Sequence, residues 1–180
     1  VYVFEVLFVS FEAPPGEAPP GSDAPGAFWA EAQKLTASDD NNGDAFGESV
    51  VISDDGTTAF IGAPDDGDGN VLTPGAVYVF TKDGGTWTET QKLTASDGIG
   101  FGGSIAASAD GTTALIGSYG GRGPLDGVYA GTVYVFTEDG GTWTETQKLT
   151  ASDYSNIMGF GGSIAASADG TTALIGSADF

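Results

Sequence analysis

The apolar residues of this chain fall in short bursts separated by Asp-Gly and Gly-Gly pairs, with no long stretch at the 3.6-residue period of an amphipathic helix. Phe101-Gly-Gly-Ser-Ile-Ala-Ala-Ser-Ala-Asp-Gly-Thr-Thr-Ala-Leu-Ile-Gly117 shows the pattern. Two runs of small and apolar residues flank Asp110-Gly111, a pair that accepts the positive φ angles of a tight hairpin. The stretch returns letter for letter at residues 160–176 and in a looser form at 46–62. Val-Tyr-Val-Phe, a run of β-branched and aromatic residues suited to a buried strand, begins at Val1, Val77 and Val133.

Repetition extends to the polar positions. Gln-Lys-Leu-Thr begins at residues 33, 91 and 147, a period of 58 and then 56 residues, and 86–97 is identical to 142–153. Several short strands within such a period predict a β-propeller or a related repeat array. One unit, written from the middle of the chain, has strand A at 101–108, B at 112–118, C at about 131–137 and D at 142–150. Asp110-Gly111 forms the A–B turn and Asp139-Gly140-Gly141 the C–D turn. The B–C loops (64–74 and 119–130) and D–A loops (39–45, 98–100 and 154–159) differ between units, as they do when one face of a repeat array is free to vary.

Followed from Val1, the order is C D, A B C D, A B C D, A B. The fold class is therefore all-β: propeller blades of four antiparallel strands, about three blade equivalents, with a split blade made of N-terminal strands C–D and C-terminal strands A–B. The expected organisation is an N-terminal strand at 1–11 and a loop or linker at 12–26 rich in Pro and Gly (Pro14, Pro15, Pro19, Pro20, Pro25). The outer strand of the split blade follows at 27–38, then blades at 39–94 and 95–150 and a half blade at 151–180. Residues 1–11 carry Glu5 and lack a basic leader and a cleavage site, so they do not read as a signal peptide. A start at Val rather than Met is expected of a processed protein or a fragment.

Composition narrows the chemistry. The chain has no Cys and no His, which removes disulfides, thiolate metal sites and the commonest general base. Against 25 acidic residues stand Lys34, Lys82, Lys92, Lys148 and Arg122, for a net charge of −20. Nucleic acid is excluded as a partner because phosphate binding needs clustered cations, and an anionic membrane is disfavoured for the same reason. No stretch is long enough to insert into a bilayer. Three sources of the acidity stay open: a high-salt habitat, a bound hard cation such as Ca²⁺, or plain solubility.

Phe46-Gly47 followed by Gly62-Ala63-Pro64, with Gln-Lys-Leu-Thr-Ala-Ser-Asp, Phe-Gly-x-Ser and Val-Tyr-Val-Phe around it, resembles the FG-GAP repeat family. The resemblance is to the blades of integrin α-chain propellers and, more closely, to prokaryotic extracellular repeat proteins of haloarchaeal type. The later repeats keep Phe101-Gly102 and Phe160-Gly161 but replace Gly-Ala-Pro by Gly117-Ser-Tyr and Gly176-Ser-Ala. The resemblance implies calcium in some A–B loops. Here those loops have shrunk to Asp54-Asp55-Gly56, Asp110-Gly111 and Asp169-Gly170, with too few oxygens for six to eight ligands, so they read as turn chemistry.

Two other acidic loops remain candidates for Ca²⁺: Asp65, Asp66, Asp68 and Asn70, and after them Asp39, Asp40 and Asp44. Trp29, Trp87 and Trp143 take equivalent positions in strand D and are expected to pack between blades rather than to form a sugar platform. Tyr119, Arg122 and Tyr129 share one variable loop and would serve a partner if that loop has a role. No catalytic constellation stands out, and the Asp residues of the turns are expected to keep ordinary pKa values. The functional expectation is a non-enzymatic extracellular or cell-surface scaffold for structure or adhesion. It would associate with itself head to tail, as a ring or filament, by completing the split blade, or join the remainder of a larger propeller. The alternatives are an accessory module that binds a glycan ligand or a surface protein, and a piece of a larger secreted propeller.

Overall fold

The computed structural model describes residues 1–8, 27–39, 43–67, 73–118, 131–152 and 159–177. Among them are twelve strands and no helix. The chain divides into two compact units, Val1–Leu35 and Thr36–Phe180.

The first unit is a hairpin-like sheet of β1 (Tyr2–Phe8) and β2 (Ala27–Lys34). Tyr2 pairs with Lys34 and Val3 with Gln33; a bulge then shifts the register so that Phe4 faces Glu31.

The second unit holds two four-stranded antiparallel sheets, each in sequence order. One contains β3 (Val50–Ile52), β4 (Thr58–Ala63), β5 (Ala76–Asp83) and β6 (Thr86–Leu93). The other contains β7 (Phe101–Ala107), β8 (Thr113–Ser118), β9 (Thr132–Asp139) and β10 (Thr142–Leu149). A two-stranded sheet of β11 (Ser163–Ala166) and β12 (Ala173–Gly176) follows. In the middle unit β7 to β10 are the predicted strands, with ends that differ by a residue or two. No helix among the described residues is long and apolar enough to cross a membrane.

Burial falls between sheets, as expected for a blade array in which no single sheet covers its own apolar face. Phe60, Val77, Val79 and Leu93 of one sheet pack with Phe101, Ile116, Tyr134, Phe136 and Trp143 of the next. The Trp143 ring stands edge-on to Phe60, 4.9 Å between centroids at 88°.

Between the inner strands there is no room for side chains. A Cβ at Gly62 would collide with the carbonyl oxygen of Gly102, and one at Gly117 with that of Gly161. Gly102 also lies at φ 100°, where only glycine is unstrained. The Phe-Gly of one repeat and the Gly that closes strand B of the preceding one are thus a single contact, two backbones at closest approach. Ser49 Oγ donates to the Gly102 carbonyl at 2.6 Å across that contact, and Ser104 Oγ donates to the Gly161 carbonyl one sheet further on. The turns stack as well: Asp54 N–H donates to Ala109 O (2.9 Å), and Ala109 N–H to Ala168 O (2.8 Å).

Candidate functional site

Each A–B turn is tied by its own side chains. Ser53 Oγ donates to Asp55 Oδ1 at 2.7 Å and accepts from Thr58 N–H, while Thr57 donates to the same oxygen through both N–H (2.9 Å) and Oγ1 (2.8 Å). Ser108, Asp110, Thr112 and Thr113 repeat the arrangement, as do Ser167, Asp169, Thr171 and Thr172. These donors, the Ser hydroxyl first, hold Asp55 and Asp110 below the usual carboxylate range and bring Asp169 to about 2. The expectation of ordinary pKa values in these turns is corrected. Neighbouring hydroxyls, which sequence distance alone does not weigh, stabilise the charged form.

A second recurring site lies where Ala-Ser-Asp, the segment after Gln-Lys-Leu-Thr, meets the outer strands of the next sheet. Ser38 donates to Glu89 of β6 through N–H and Oγ, both at 2.8 Å. Ser96 makes the same pair of bonds to Glu145 of β10, at 3.0 and 2.9 Å. Gln91 pairs its amide with the backbone of Trp143: Nε2–H donates to the carbonyl (2.9 Å) and Oε1 accepts from N–H (2.8 Å). A side-chain amide there does what another strand would do.

Beside each Ser–Glu pair sits an ion pair under a tyrosine. Lys92 Nζ is 2.7 Å from Asp39 Oδ2 and 2.5 Å from Asp66 Oδ2, and it lies 5.2 Å from the centre of the Tyr78 ring. The Tyr78 hydroxyl is 2.6 Å from Asp39 Oδ1 and 3.0 Å from Asp66 Oδ2. In the next sheet Lys148 meets Asp97 at 2.5 Å over the Tyr134 ring, and the Tyr134 hydroxyl donates to the Asp97 carbonyl at 2.8 Å. Lys92 and then Tyr78 hold Asp39 low, and Lys148 does so for Asp97. Burial, reinforced by the carboxylates, pushes both tyrosines up. Burial pulls Lys92 down, but Asp39 and Asp66 outweigh it and its pKa rises. Such groups stay charged, or in tyrosine's case neutral, across the ordinary pH range. They bind one another and have no proton to exchange at neutral pH.

Asp39 and Asp66, predicted as ligands in two separate calcium loops, therefore meet on one lysine. The two loops are also joined by Asp65 N–H donating to Asp44 O at 3.3 Å. Asp44 is buried and the Asp65 side chain exposed. Asp40, Asp68 and Asn70 lie outside the described residues, as do Tyr119, Arg122 and Tyr129. Among the described residues no three acidic side chains converge as metal ligands. Trp87 and Trp143 are buried, Trp143 against Phe60 as expected for packing between blades; the Trp29 side chain lies outside the description. Lys92, Lys148, Tyr78 and Tyr134 were not among the candidate site residues of the sequence. The signal was present: every Gln-Lys-Leu-Thr is followed by Ala-Ser-Asp, so each repeat carries both halves of the ion pair.

A family model described as FG-GAP repeat matches residues 29–80, 87–136 and 143–179. No curated protein matches the chain.

Proposed function

The chain belongs to the FG-GAP repeat family and is a β-propeller module; on that premise we propose that it is a non-enzymatic extracellular scaffold, used for structure or adhesion, that associates with itself by completing a split blade. One observation carries the reading. Leu174 of β12 is 74% exposed, whereas its equivalents Phe60 and Leu115 in the complete sheets are 0% and 4% exposed. Among the described residues β12 pairs only with β11, and an exposed apolar side chain beside such an edge calls for another sheet. Size-exclusion chromatography with light scattering of the 180-residue chain at micromolar concentration tests this: discrete multiples or filaments support it, and a single species of monomer mass overturns it.

Lys92 takes the structural cation's part in this reading. A Ca²⁺ ion at Asp65, Asp66, Asp68 and Asn70 would compete with it for Asp66, which already accepts from Lys92 and lies by the Tyr78 hydroxyl. Ca²⁺ and EDTA at constant ionic strength are expected to leave the melting temperature unchanged. A rise with Ca²⁺ returns the cation role to the metal.

A further inference from the structure

We propose that the two C–D turns, Asp83-Gly84 and Asp139-Gly140, are sites of spontaneous isoaspartate formation, and that the A–B turns, built on the same Asp-Gly pair, are held against it. The rearrangement needs no oxidant, reductant or enzyme. The glycine nitrogen attacks Cγ of the preceding aspartate and a C–N bond forms. One carboxyl oxygen leaves as water, carrying the amide proton and a proton from solvent. Water then adds to either carbonyl of the cyclic imide. Opening at the former main-chain carbonyl routes the chain through the side chain and lengthens it by one methylene. Glycine favours the attack because it has no Cβ beside its nitrogen.

The two kinds of turn differ at both reacting groups. In the A–B turns the nucleophile is occupied: Gly56 N–H donates to Ser53 O (2.9 Å), Gly111 N–H to Ser108 O (3.0 Å) and Gly170 N–H to Ser167 O (2.9 Å). The carboxylate is occupied as well. Asp110 Oδ1 accepts from Ser108 Oγ at 2.6 Å, Thr112 N–H at 3.1 Å and Thr112 Oγ1 at 2.9 Å, and Asp55 and Asp169 accept the matching three. Such donors favour the anion, the unreactive form. Two of these glycines are also packed: a Cβ at Gly111 would meet Ser53 Cβ at 3.0 Å, and one at Gly170 would meet Ser108 Cβ at 3.2 Å.

The C–D turns have none of this. Gly84 and Gly140 sit outside the strand ladders, and among the described residues their N–H groups have no acceptor. Asp83 and Asp139 are exposed, and among the described residues no donor reaches their carboxylates. A Cβ at Gly84 or Gly140 would meet nothing within 4 Å, so the turn has room to rearrange. Asp66 and Asp97, also followed by glycine, keep the carboxylate half of the protection through Lys92 and Lys148. Asp83 faces Thr86 and Asp139 faces Thr142 where the hairpins close, so the added methylene enters beside the strands that carry the buried Trp87 and Trp143.

The test is to incubate the folded 180-residue chain at neutral pH and body temperature for several weeks and locate isoaspartate by isoaspartyl methyltransferase labelling and peptide fragmentation. Asp110 and Asp169 share their flanking sequence and are read together. Isoaspartate at Asp83 and Asp139 is expected to exceed that at Asp55 and at Asp110 with Asp169 by at least about tenfold, the factor that opening one amide hydrogen bond costs. In urea, where the turns are unfolded, the rates are expected to converge. Equal accumulation in both kinds of turn of the folded chain overturns the proposal. So does its absence from Asp83 and Asp139 while the unfolded chain accumulates it, and so does a difference that survives in urea, which would belong to the sequence and not to the fold. The S53A/T57A variant strips two of the three donors from Asp55 and is expected to raise isoaspartate there alone. No rise overturns the part given to the side-chain donors.

Discussion

At the scale of single residues, glycines and short polar side chains set the geometry, and few substitutions are neutral. Gly62 and Gly102 are backbone against backbone, so G62A forces two strands apart. Overpacking of this kind costs about 1–3 kcal/mol, and urea denaturation should show a loss of that size. Lys92 neutralises two carboxylates, one of them on a mostly buried side chain, where Lys148 has one exposed partner. K92M should therefore destabilise by about 1–3 kcal/mol and K148M by less; equal effects would mean that Asp66 does not depend on Lys92. Asp55, Asp110 and Asp169 have depressed pKa values, so their contribution to stability is fully present above the unfolded value near about 4. It is lost as pH falls through the folded values, which for Asp169 is about 2. Carboxyl NMR titration should place all three midpoints below those of exposed acidic residues, and in a triple Ser53→Ala, Ser108→Ala, Ser167→Ala variant they should move up.

At the scale of elements, the blade shares its apolar core with its neighbour. Phe60 of β4 and Val77 and Val79 of β5 pack against the next sheet, and the ring that meets Phe60 there is the strand D tryptophan Trp143. W143A removes that ring from Phe60 and the shared core, and deletions of this size cost about 3–5 kcal/mol. The loss should appear in the midpoint of denaturant unfolding, and W143F should recover part of it. Q91A removes the amide pair to the Trp143 backbone and should cost about 1 kcal/mol, since two ordinary hydrogen bonds are exchanged for water. If W143A were neutral, the core would lie within sheets and not between them.

At the scale of the whole molecule, a net charge of −20 on 180 residues opposes compaction, and the five cations cannot offset it. Two of them, Lys92 and Lys148, are committed to ion pairs within the joints. Screening should therefore help more than it harms. The melting temperature should rise between about 0.1 M and 1 M NaCl, where the screening length falls from about 10 Å to 3 Å. A fall would show that the ion pairs outweigh the general repulsion.

What the sequence determined by itself was the strand order and the unit of repetition. Both are local: an Asp-Gly turn, a β-branched run and a fixed spacing between them specify hairpins whatever surrounds them. Hence strands read at 101–108 and 142–150 appear as β7 and β10 with only their ends moved. Half of the candidate site was also legible, since Asp39 and Asp66 were singled out as residues that attract a cation. The tertiary structure brings a cation of the chain itself to both. Asp39, Asp66 and Lys92 are far apart in sequence, and only the folding of residues 39–94 into one blade, with Tyr78 of β5 paired to Lys92 of β6, brings them within hydrogen-bonding distance. Stacking of one blade on the next explains Phe-Gly and Gly-Ala-Pro, which look like separate turn signals in the chain. In space Gly62 and Gly102 form one contact, because two backbones can meet there only when neither residue carries a side chain.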